Sequence, residues 1–327
     1  MPNPLEGPVT TPSTAADSPA ATPVAETSAA RPPTGAAPRR RSLGSIGLVL
    51  SAGISVQFGG ALAASLMPRA GALGVVTLRL VAAAIVLLVV CRPRVRGHSR
   101  ADWATVIVFG LTMAGMNGLF YQSIARIPLG PAVALEVLGP LALSVLASRR
   151  AINLVWAGLA LAGVVLLSGG GFGSLDVVGV LFALGAGAMW AAYIVFSART
   201  GRRFPQADGL ALAMAVAAVV FLPLGIVESG TKLLDPTTVA LGSAVAVLSS
   251  VLPYTLELIA LRRLPASTFA ILMSLEPAIA ATAGFLVLSQ ALSATEAVAI
   301  ALVIAASMGV VLTQTGRGKA KVQEDGS

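Results

Sequence analysis

Residues 126–140 read RIPLGPAVALEVLGP, and the chain comes close to writing them twice. A shift of 137 positions carries Arg126 onto Arg263, Pro128 onto Pro265 and Pro140 onto Pro277, inside RLPASTFAILMSLEP. Each copy is an Arg-x-Pro corner followed by an apolar helix that a carboxylate and a proline interrupt. A buried charge and a missing backbone donor are unwelcome in hydrocarbon unless they face a cavity. Glu136 with Pro140, and Glu276 with Pro277, are therefore read as two helix interruptions that face a cavity.

The rest of the chain supplies the membrane. Of its 327 residues 56% are hydrophobic and 11% charged, with a mean hydropathy of +0.87; soluble domains carry about 25% charge. Apolar stretches of about 20 residues, enough to cross roughly 30 Å of hydrocarbon, follow one another after residue 42. Ten spans are expected, at 44–66, 72–91, 103–124, 130–147, 151–168, 177–198, 209–228, 238–260, 266–288 and 294–314. Residues 1–41 contain nine of the 20 prolines among Ala, Thr and Ser and read as a disordered cytoplasmic tail. A second short tail covers 317–327.

Counting Lys and Arg on alternate sides of these spans tests their number. Eighteen fall on the side of both termini and three (Arg69, Arg126, Lys232) on the other, with Arg79 alone inside a span. The positive-inside rule then places both termini in the cytoplasm. Arg126 and Arg263 lie on opposite faces, so the duplicated units, 42–171 and 172–316, are inverted five-helix repeats. Inverted repeats with broken helices near the midplane are the architecture of secondary transporters. The expected fold is thus all-α integral membrane, ten transmembrane helices in two inverted repeats.

A few side chains inside the spans can carry chemistry. Arg79, Asn117 and Glu136 lie at one depth on three neighbouring spans, Arg79 and Glu136 each about 10 Å from the outer surface at 1.5 Å per residue. They read either as a substrate site, with Arg79 facing a carboxylate and Glu136 an ammonium or a proton, or as an ion pair that only fixes the bundle. Glu276, next to Pro277 near the midplane, is the second candidate proton carrier. Gln57, Tyr121, Trp190, Tyr193 and Tyr254 can wall an amphipathic cavity or simply pack. Trp190 and Tyr193, three apart, share a helix face. Glu257 reads as an anchor paired with Arg262 or Arg263, and Ala114, Gly118 and Gly185 as sites of close helix packing.

Other chemistries lack their residues. His98 is the single histidine and Cys91 the single cysteine, so neither a metal site nor a disulfide is expected, and no cofactor. The run Gly169–Gly171 lacks the Lys-Ser/Thr of a phosphate loop. The basic residues are spread over short loops, which fits anionic lipid and not nucleic acid. A membrane-embedded enzyme would need a nucleophile, base or metal constellation that the scattered carboxylates do not make.

The runs NGLFYQSIARIPLGPAVALEVLGPLALSVL (117–146), LPYTLELIALRRLPASTFAILMSLEPAIAA (252–281) and AIALVIAAS (299–307) resemble the EamA family of the drug/metabolite transporter superfamily. The likeness extends over about residues 44–314 and is nearest to the threonine and homoserine exporter branch. It implies an inner-membrane, proton-driven exporter of small amino acids, or, with the same fold, of another metabolite or drug. The chain departs from the family after the ninth span, with Ser289-Gln290 where Gly-Glu is frequent. Oligomeric state is not written in these motifs.

Overall fold

A computed structural model describes residues 37–148, 151–167, 175–204, 207–261 and 266–324. Arg149, Arg150, Gly169–Gly171, Arg262, Arg263 and Pro265 lie outside the described residues, as do positions 1–36 of the expected tail and 325–327. Among the described residues all regular structure is helical, in the order α1 (Ala37–Cys91), α2 (Arg100–Ile124), α3 (Leu129–Glu136), α4 (Leu138–Ser148), α5 (Ala151–Leu167), α6 (Val177–Gly201), α7 (Asp208–Ser229), α8 (Pro236–Ala246), α9 (Leu252–Leu261), α10 (Ala266–Met273), α11 (Glu276–Leu288) and α12 (Ala294–Glu324). Helical backbone thus begins at Ala37 and ends at Glu324, inside both stretches expected as tails.

Seven of the described helical segments are long and apolar enough to cross a membrane, and 152–167 and 236–251 are shorter apolar helices. The chain is a multi-pass membrane protein. Leu154, Val219 and Val227 are 69%, 70% and 88% exposed, a face that only lipid can cover without penalty. Polar side chains do the opposite: Gln57, Asn117, Glu136 and Glu276 are all buried.

Local chemistry sets the helix ends. Ser99 and Asp102 form a capping box at the start of α2, and Ser293 with Glu296 repeats it at α12. Asp176 caps α6, and Asp235 with Pro236 opens α8. The longest segment, Gly44–Cys91, has 48 residues. It is broken once, at Gly71, whose φ of 68° and ψ of 168° belong to a region only glycine enters readily. The helix restarts there with free amides, and Glu228 Oε2 accepts from Leu73 N (2.7 Å) and Gly74 N (3.0 Å). Ser229 Oγ donates to the Ala70 carbonyl on the other side of the break. Glu228 is therefore the cap of the helical segment that follows Gly71.

Side by side, α2 packs on α6 and α7, α5 on α12, and α3 on α11. Close approach comes from small residues: a methyl group on Gly118 would enter the Phe221 ring, and one on Gly130 would lie 2.8 Å from Ala281 Cβ. Gly71→Ala is expected to destabilise the fold by about 1–3 kcal/mol, through strain at positive φ and collision with Glu228. Thermal unfolding in detergent measures this; an unchanged midpoint would place the kink elsewhere.

Candidate functional site

Two prolines set the site by what they lack. Pro140 has no amide hydrogen for the carbonyl four residues before it, that of Glu136, and Pro277 has none for Met273. The helix breaks accordingly between α3 and α4, at Val137, and between α10 and α11, at Ser274-Leu275. Glu136 and Glu276 sit immediately beside these breaks, one closing α3 and the other opening α11.

Between the broken helices lies a cavity of about 480 Å³, within the 300–1,000 Å³ or so of small-molecule sites. Gln57, Arg79, Asn117, Tyr121, Glu136, Pro140, Trp190, Tyr193 and Glu276 all line it. Nine candidates from distant parts of the sequence are thus brought together. Pro277 is buried at the start of α11 and does not line the cavity. The side chain of Tyr254 lies outside the described residues, as does that of Glu257.

Arg79 is held from three directions. Its Nη1 donates to Asn117 Oδ1 at 2.7 Å and to the Tyr121 hydroxyl at 3.4 Å, and its Nη2 to the Ser249 carbonyl at 3.2 Å. The guanidinium also lies over the Tyr121 ring, 5.6 Å from its centroid. Asn117 is itself fixed by donating Nδ2 to the Met113 carbonyl at 2.9 Å. Nε of Arg79 is buried and has no partner.

Glu136 completes the contrast. Among the described residues its carboxylate has neither a hydrogen-bond partner nor an ion pair; the one salt bridge described joins Arg203 and Asp102 at 3.0 Å. The alternative of a structural Arg79–Glu136 ion pair is therefore not formed. A guanidinium and a carboxylate face one cavity without neutralising each other by contact, an arrangement whose cost in a membrane requires a compensating partner.

The position of Glu136 depends on glycine. A methyl group on Gly187 of α6 would lie 2.5 Å from the Glu136 carbonyl oxygen, and one on Gly139 would collide with the Gly187 carbonyl. Only this bare glycine pair lets α6 reach the break. Trp190 and Tyr193 follow on the same helix, Tyr193 against Phe109 with ring centroids 5.2 Å apart.

Sequence reading passed over Ser249, Pro253, Phe269 and Met273, which also line the cavity. Pro253, inside an apolar run and four residues after Ser249, was the available signal. Gln290 has a defined role: its Oε1 accepts from Leu129 N at 3.1 Å, capping the start of α3. Ser289 takes the left-handed conformation, φ 56° and ψ 30°, that Gly adopts without strain. His98 Nε2 donates to the Arg94 carbonyl (2.9 Å), and its ring packs on Phe204 at a tilt of 35°. No cluster of metal-ligating side chains occurs among the described residues.

A bundle of spanning helices around a cavity lined by buried charged side chains is the form of a membrane transporter. Residues 177–312 match the EamA-like transporter family. The chain is 43% identical to the threonine/homoserine exporter RhtA of Salmonella typhimurium strain SL1344 over 268 residues, 81% of this chain and 90% of that protein. It is 42% identical to RhtA of Escherichia coli strain K12 over 276 residues, 84% and 93% of the two chains. A crystal structure of a protein 21% identical covers 83% of this chain and 97% of its own, with a TM-score of 0.53, and shares the fold. The chain belongs to the EamA-like transporter family.

If the glycine pair sets the site, Gly187→Ala should lower the thermal midpoint by several degrees more than Gly185→Ala, whose added methyl would meet only Leu119 Cδ1 at 3.3 Å. Equal effects in scanning fluorimetry would refute the close contact.

Proposed function

We propose that the protein exports small amino acids such as threonine and homoserine across the bacterial inner membrane, by proton antiport and alternating access. One observation carries the reading: Arg79 and Glu136 line one cavity with no salt bridge between them. That is the complement of a zwitterion. The cargo carboxylate meets the guanidinium in a charge-assisted hydrogen bond. Its ammonium meets Glu136, and when cargo leaves, a proton takes the ammonium's place. The carboxylate thus stays compensated in either state. The 42–43% identity to threonine/homoserine exporters over most of both chains supports the same cargo class.

The movement follows from the repeat. Ten spans in two inverted units, 42–171 and 172–316, fit the described helices: Gly71 divides the longest segment in two, and the shorter helices 152–167 and 236–251 supply two more spans. In this arrangement α3–α4 and α10–α11 are the related broken helices, and rocking one repeat against the other exposes the cavity to each side in turn. Basic loops then face the cytoplasm together with both termini.

Labelled threonine offered to inside-out vesicles should accumulate under an imposed proton gradient and stop when an uncoupler collapses it. Glu136→Gln should reduce gradient-driven accumulation at least about tenfold, the scale of losing one buried charge interaction. Gradient-driven accumulation that persists in Glu136→Gln would overturn the coupling role. No accumulation in vesicles containing the folded wild type would move the cargo to another metabolite.

A further inference from the structure

The span that begins at α8 does not run as a regular α-helix through the cavity. Residues Val247–Val251 form a π turn, with Leu252 N donating to the Val247 carbonyl five residues back. π turns inside α-helices widen the backbone and release carbonyls. The cause lies two residues on. Pro253 has no amide hydrogen, so it serves neither the carbonyl of Leu248, its partner in the π register, nor that of Ser249, its partner in the α register.

Both orphaned carbonyls are satisfied from other helices. Ser55 Oγ of α1 donates to the Leu248 carbonyl at 2.6 Å, and Arg79 Nη2 donates to the Ser249 carbonyl at 3.2 Å. Ser249 and Pro253 line the cavity with Arg79 and are buried. The Ser249 side chain makes a different contact, its Oγ donating to the Val245 carbonyl, so it is the backbone carbonyl that meets Arg79. With Asn117 and Tyr121 holding Nη1, the Ser249 carbonyl is what occupies Nη2 and leaves Nε as the edge without a protein partner.

We infer that Pro253 is a positioning residue for cargo recognition, acting by withholding an N–H so that the Ser249 carbonyl orients the Arg79 guanidinium. The inference rests on the proposed role of Arg79 in holding the cargo carboxylate. With an alanine at 253 the span gains the missing donor, the turn closes on the Ser249 carbonyl, and the guanidinium loses one of its anchors. The specific consequence is weaker recognition of the carboxylate, without loss of the moving parts.

Uptake of labelled threonine into inside-out vesicles, competed by unlabelled threonine or its methyl ester, separates these roles. Wild type should favour the free acid. Pro253→Ala should raise KM about tenfold, the worth of one hydrogen bond to a charged group, keep the maximal rate within about twofold, and narrow the preference for acid over ester. Pro253→Val, which also restores the N–H, serves where the alanine form does not insert. A folded variant that keeps both KM and ester discrimination overturns the inference, and so does one that loses only maximal rate, which marks a purely structural proline. Arg79→Ala is the separate control. If it retains the acid preference, the carboxylate reading itself fails; if it loses the preference while Pro253→Ala retains it, only the role of Pro253 fails.

Discussion

A backbone carbonyl without a donor is hard to hide inside a membrane, and much of this structure follows from where that happens. Pro140, Pro253 and Pro277 each stand four residues after a carbonyl they cannot serve, those of Glu136, Ser249 and Met273. All three carbonyl-bearing residues line the same cavity. Each helix responds differently: the break at Val137, the π turn at Val247–Val251, the break at Ser274-Leu275. The common result is polar backbone gathered where irregular structure is tolerated, around a cavity inside the bundle.

Charge is then placed on this backbone. The Ser249 carbonyl, with Asn117 and Tyr121, fixes Arg79, while the Gly139–Gly187 contact brings α6 against the break that ends at Glu136. These are rigid devices, built from fixed dipoles and bare glycine. They keep a guanidinium and a carboxylate apart in a region where they would otherwise pair. Under the proposed function the two are brought to terms by a zwitterionic cargo or, on one side, by a proton, which makes exchange of the two a property of the empty site.

Much of this was legible in the sequence. The repeated proline-carboxylate pattern located both broken helices, and depth arithmetic put Arg79, Asn117 and Glu136 at one level, where a single cavity now contains them. What was missed has physical reasons. No acidic residue precedes Pro253 as Glu136 precedes Pro140 and Glu276 precedes Pro277, and its effect on Ser249 depends on a partner, Arg79, 170 residues away. Glu228 caps a helix 155 residues earlier in the chain, which no local motif announces. The expected spans stop at 66 and resume at 72; the helix continues through most of that interval and bends at Gly71, since only that residue enters the required backbone region readily. Span composition also hid the helical flanks, because helices continue past the apolar core with no signal in hydropathy.

The central claim is that cargo and proton alternate at one carboxylate, and proton release from purified protein in weakly buffered detergent tests it most directly. Adding threonine to the wild type at a pH where the empty site holds its proton should release protons in a saturable way, and the release should vanish in Glu136→Gln that still binds threonine or remains folded. Saturable threonine binding with no proton release at any pH, or release that is unchanged in Glu136→Gln, would contradict the account.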